Sequence, residues 1–182
     1  MTTRSYCKMN MMGGDHMETV GRRLRLVYRS FSDGPHVLLF GPLDADFHSL
    51  QDLFQRLGQS AGQYELHRQP FVAAFNETQV TMVSCGHFYS RPDDPQGGIH
   101  RVAGSKGNHF EWRRTTEGWA YFAELVDSLV RSERPGHHEL TRYPREDAIV
   151  EVAKGEYDDT VLMAERVGLI QRLRRWRQCE PG

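Results

Sequence analysis

Three short segments of this 182-residue chain recur in the same order further along it. "LQDLFQR" (50–56) matches "LVDSLVR" (125–131) at the leucine, the aspartate and the arginine. "GQYEL" (62–66) matches "GHHEL" (136–140) at Gly, Glu and Leu, and "VSCGHF" (83–88) matches "VAKGEY" (152–157) at Val, Gly and an aromatic end. Ordered self-similarity of this kind marks an internal duplication, here of a unit of about 70 residues. Whatever the fold is, it has to accommodate the same unit twice.

The content of the unit follows from its periodicities. "RRLRLVYRS" alternates Leu24, Leu26 and Tyr28 on one face, as a half-buried strand does, and "SDGP" (32–35) turns it into "HVLLF" (36–40). From Leu43 the period becomes helical: Leu43, Phe47, Leu50, Phe54 and Leu57 share a stripe that Gly58 is expected to end. "GQYELH" and "TQVTMVS" (78–84) then read as strands. After "RPDDPQGG" (91–98), the strongest break in the chain, "IHRVA" and "HFEWRR" flank "GSKGN" (104–108) as a second hairpin. Thr115 or Thr116 caps a second helix with the stripe Trp119, Phe122, Val126 and Leu129, and "GHHELT" and "AIVEVAKGEY" (148–157) supply the closing strands. The expected fold is α+β, two hairpin–helix–strand–strand units with antiparallel sheet in one compact domain. Its parts are a mobile N-terminal segment (1–20), a first repeat (21–90), a linker loop (91–98), a second repeat (99–157) and an arginine-rich C-terminal helix (158–182) that Asp159 is placed to cap.

The duplication also bears on the one stretch that looks chemical. "PGHHEL" (135–140) holds two histidines and a glutamate, the residue types that ligate zinc and transfer protons. Its counterpart in the first repeat carries Gln63 and Tyr64 instead, while Gly, Glu and Leu persist. Consecutive strand residues face opposite ways, so His137 and His138 cannot both reach one metal. No second His or Cys stands three or four positions away. The glycine reads as a helix stop, and Leu66 and Leu140 as inward anchors of the next strand. No metal or other cofactor is expected.

Other features are also better explained as scaffold. Cys85 and His87 form a weak nucleophile signature at the end of a strand. "GSKGN" lacks the spacing of a phosphate loop, and Trp112 and Trp119 suit a core. Five arginines (Arg166, Arg172, Arg174, Arg175, Arg177) gather near the C-terminus, where cations favour the end of a helix. With 23 basic and 24 acidic residues the chain is near neutral, so nucleic acid is not the partner expected. Three scattered cysteines, a polar N-terminus and no long apolar run point to the cytoplasm, away from membranes.

The stretch "FEWRRTTEGWAYFAELVDSLVRSERPGHHEL…DAIVEVAKGEY" resembles small bacterial immunity proteins encoded beside polymorphic or contact-dependent toxins. The residues that carry the resemblance are Gly136, His137, Leu140, Gly155, Glu156 and Tyr157, within 110–157. Thr141 stands where that pattern often has aspartate. The resemblance implies a non-enzymatic protein that binds and neutralises a cognate toxin without a cofactor. Candidate contact residues are His137 and Glu139 beside the strand start, Asp93 and Asp94 in the loop, and Arg172, Arg174 and Arg175. The rival expectations are a hydrolase or metal-dependent enzyme using His137, His138 and Glu139, and a nucleic-acid-binding module using the C-terminal helix.

Overall fold

The computed structural model describes residues 22–86, 97–141 and 146–163. Strands β1 (Leu24–Phe31) and β2 (Gly34–Gly41) form the first hairpin, and helix α1 (Phe47–Gln59) follows. Strand β3 (Gly62–Glu65), a 3-10 turn (Leu66–Arg68), β4 (Val72–Ala74) and β5 (Thr78–Ser84) complete the first half. The second half repeats the order with β6 (Gly98–Arg101), β7 (Asn108–Arg114), α2 (Thr116–Arg131), β8 (Gly136–Glu139) and β9 (Ile149–Lys154). Helix α3 (Thr160–Met163) starts the C-terminal segment. The α+β class and the single domain stand. The N-terminal segment 1–20, Asp93 and Asp94, His87 and all five C-terminal arginines lie outside the described residues.

The strand pairing departs from the antiparallel sheet expected. Two mixed sheets form, one in the order β4-β1-β2-β9-β8 and the other β3-β5-β7-β6. Each joins the hairpin of one half to the closing strands of the other, and the junctions are parallel: β2 with β9, and β7 with β5. The reason is connectivity. Each helix carries the chain from its own hairpin in one sheet to its closing strands in the other, so the halves exchange strands. Among the described residues β4, which pairs parallel to β1, has no counterpart in the second half.

Strand register also corrects the equivalence of the repeats. Gly62 pairs with Ser84, and Gly136 pairs with Lys154, which makes Ser84 the counterpart of Lys154. The "VSCGHF" match would instead place Cys85 there, one residue off. The buried stripes Phe47–Leu50–Phe54–Leu57 and Trp119–Phe122–Val126–Leu129 align the helices three residues away from the "LQDLFQR" match. The contacts agree with the structural alignment. Ser84 Oγ donates to Leu57 O at 2.7 Å, and Lys154 Nζ donates to Leu129 O at 2.9 Å, each closing the last turn of its helix.

Side chains from both helices and from one face of each sheet merge into one core. At its centre Phe54, Trp112, Trp119 and Phe122 stack edge-to-face or tilted, with Trp112 and Trp119 centroids 4.7 Å apart. Both tryptophans are buried, as their spacing predicted. Asp46 accepts the Ser49 N–H to start α1, and Thr115 accepts that of Gly118 to start α2. Gly58 does not end α1; it lies inside the helix because α2 crosses there, where a Cβ would come 3.0 Å from the Ala120 nitrogen. Nor are Gly62 and Gly136 helix stops: both helices end on serines in extended conformation, Ser60 and Ser132, and the glycines begin strands. Leu43 is outside the helix and exposed. Leu66 and Leu140 are buried as expected, but neither lies in a strand: Leu66 begins the 3-10 turn and Leu140 follows the end of β8.

The other face of the first sheet, turned away from the helices, carries a second apolar cluster. Val27, Leu38, Phe40 and Ala153 are covered there by Val161 and Leu162 of α3, by Phe75 and by Tyr157. Asp158, not Asp159, accepts the Thr160 N–H at the start of α3, because Asp159 is held by Arg25 at 2.7 Å. No helix among the described residues is long and apolar enough to cross a membrane.

Candidate functional site

The outer face of the first sheet is apolar over β1 and β2 and becomes polar towards β8. Alternation along each strand sends His36, Glu151, His137 and Glu139 to that face. His137 sits opposite Ala153 and therefore diagonal to Glu151. Beyond β9, Gly155 adopts φ +68°, and a Cβ there would come 2.9 Å from Leu43 Cδ2. That turn brings Glu156 back over the sheet edge, where its Oε2 lies 2.6 Å from His137 Nδ1. Tyr157 follows, packs its ring on Phe40 and donates its hydroxyl to Glu151 Oε1 at 2.7 Å.

Glu151 is 1% exposed, and its second oxygen, Oε2, has no hydrogen-bond partner. The nearest imidazole nitrogen on the far side, His36 Nε2, stands 3.9 Å away, beyond hydrogen-bond reach. His36 uses its Nδ1 towards Gly34 O at 3.1 Å and is equally buried. One donor atom each from His137, Glu151 and Glu156 lies within 4.8 Å of the other two. His137 and Glu156 are about a quarter to a third exposed, so the group is open to solvent on their side and closed on that of Glu151.

His138 points the other way. Its Nε2 lies 2.7 Å from Ser128 Oγ on α2, and that hydroxyl spends its proton on Leu125 O at 2.7 Å. Nε2 is therefore the donor. Burial, with a smaller contribution from the neighbouring His137, holds the His138 pKa below its ordinary value. The two histidines thus face opposite sides of β8, as the strand geometry required, and His137-His138-Glu139 does not form one centre. Glu139, exposed on the edge strand, stands opposite the buried Glu151 in the register of β8 with β9.

The remaining sequence candidates take structural places. Cys85 is a free, half-buried thiol. "GSKGN" is a hairpin turn with Gly104 and Gly107 at positive φ. Thr141 fastens β8 to β9 by donating to Ala148 O at 2.9 Å and accepting from Val150 N at 2.6 Å. Sequence reasoning found His137, named Glu156 only within the resemblance and missed Glu151, since it looked for partners at helical spacing. The signal available was "VEVAKGEY", where a glutamate stands inside the apolar run Ile149–Ala153. Comparison of the chain with protein-family models, with curated proteins and with solved structures found no match.

Proposed function

We propose that this protein is a non-enzymatic immunity protein that acts in the cytoplasm by binding and neutralising one cognate bacterial toxin. One observation supports this: the six residues of the resemblance form a single contiguous unit. Gly136 opens β8 opposite Lys154, His137 bonds Glu156, Tyr157 bonds Glu151, Gly155 makes the turn that permits both contacts, and Leu140 is buried. Residues that recur together and also build one local structure are what a shared scaffold would retain. Strand β8 is at the edge of its sheet, so His137 and Glu139 stand beside a strand edge on which a partner could dock.

Binding of this kind needs an interface of ordinary size and a few strong anchors rather than a convergent catalytic group. The test is co-expression with the product of an adjacent toxin gene. The expected result is cell survival together with a stoichiometric complex that co-purifies. Survival without a complex, or no survival at all, rejects the proposal.

A further inference from the structure

We infer that His137, Glu151 and Glu156 form a binding site for one divalent transition-metal ion of the zinc type. The inference does not rest on the toxin-binding proposal. It starts from Glu151, a carboxylate on the central stretch of β9 that is 1% exposed and has one oxygen without a hydrogen bond, 3.9 Å from His36 Nε2. A carboxylate buried in this way is costly unless something satisfies both oxygens. Tyr157 satisfies Oε1 and thereby fixes the orientation of the group, as the outer contacts of metal ligands do. Oε2 has no hydrogen bond, with His36 Nε2 3.9 Å from it, and one oxygen of the Glu151 carboxylate lies within 4.8 Å of donor atoms of the His137 imidazole and the Glu156 carboxylate.

The donor set fits a cation. Imidazole and carboxylate together suit zinc and its neighbours, while magnesium and calcium take oxygen ligands. Two carboxylates balance the charge of a divalent ion, so filling the site would neutralise the buried Glu151. Donors around a tetrahedral zinc lie roughly 3.4 Å apart, from metal–ligand bonds of about 2.0–2.1 Å. The present limit of 4.8 Å therefore requires a small inward movement. His137 and Glu156 are the ones free to make it, being partly exposed and joined only by the contact that a metal would replace. Three protein ligands leave one tetrahedral position for solvent.

The experiment is calorimetric titration of the EDTA-treated, full-length protein with zinc chloride at neutral pH, with thermal unfolding as a second measure. The expected result is saturable binding of one ion per chain and a higher unfolding temperature in zinc. His137→Ala and Glu156→Gln should each weaken binding at least tenfold, and Tyr157→Phe should weaken it about 10- to 100-fold. His138→Ala, on the opposite face of β8, should bind like the unaltered protein. The altered side chains at 137 and 156 are partly exposed, and circular dichroism verifies their folding; Glu156→Gln alone suffices if the alanine variant does not fold. Absence of one-to-one binding overturns the inference. So does binding that survives unchanged in both His137→Ala and Glu156→Gln, which would place the metal on the cysteines or on other histidines.

Discussion

Neutral His138 donates to a serine hydroxyl whose own proton is already committed, so protonating the ring gains nothing at Ser128. Its depressed pKa makes stability depend on pH in a definite direction. In the unfolded chain the ring takes a proton near its ordinary pKa of about 6.5, whereas in the folded chain it does so only at lower pH. Between those two values the unfolded state binds more protons, so unfolding free energy falls as the solution is acidified through that window. Urea unfolding at pH 7.5 and pH 5.5 should show a loss on acidification that is smaller in His138→Gln. An equal loss in both proteins would assign the pH dependence elsewhere. The neighbouring His137, although adjacent in sequence, takes no part in this contact. It faces the opposite side and meets a carboxylate at 2.6 Å.

At the scale of elements, the ends of the two helices are closed from the closing strands, and by unequal means. Ser84 contributes one hydroxyl to the last turn of α1. Lys154, 6% exposed, divides its donors among Leu129 O, Val130 O and Ser132 O at the end of α2, where a cation also favours the helix dipole. Lys154→Met should therefore cost about 2–3 kcal/mol, against about 1 kcal/mol for Ser84→Ala, since several carbonyls lose a buried donor in the first case and one in the second. Chemical denaturation of both variants checks the order, and equal losses would contradict it. These contacts also show where sequence reading stops. Both helices, both hairpins and the inward leucines were legible, because each depends on residues within one or two turns of each other. The register was not, because Ser84 and Lys154 are matched by what they cap rather than by residue type. The three-residue β4 was missed for lack of a pattern long enough to read. The metal-ligand group was missed because His137 meets Glu156 across 19 positions, through a glycine turn whose sharpness no periodicity announces.

For the whole molecule, the exchange of strands decides how stability is shared between the halves. The inner pairs β2–β9 and β5–β7 each join one half to the other, over registers His36–Gly41 with Ile149–Lys154 and Thr78–Ser84 with Asn108–Arg114. A half taken alone would keep a hairpin and a helix, but its closing strands would lose the parallel neighbour on which they are built. The aromatic centre would also divide, with Phe54 on one side and Trp112, Trp119 and Phe122 on the other. The pieces left, β4-β1-β2 and β3-β5 in one half and β6-β7 and β8-β9 in the other, are small sheets with half a core and are marginal in water. A protease site placed within "RPDDPQGG" tests this directly, since the segment joins the halves in sequence. After cleavage the two fragments should remain together on size exclusion and keep the circular dichroism of the uncut protein. Separated in denaturant and refolded singly, neither should show a cooperative unfolding transition, and mixing them should restore one. A cooperative transition in either fragment alone would mean that a repeat can close its own sheet, and that the exchanged pairing is not what holds the molecule together.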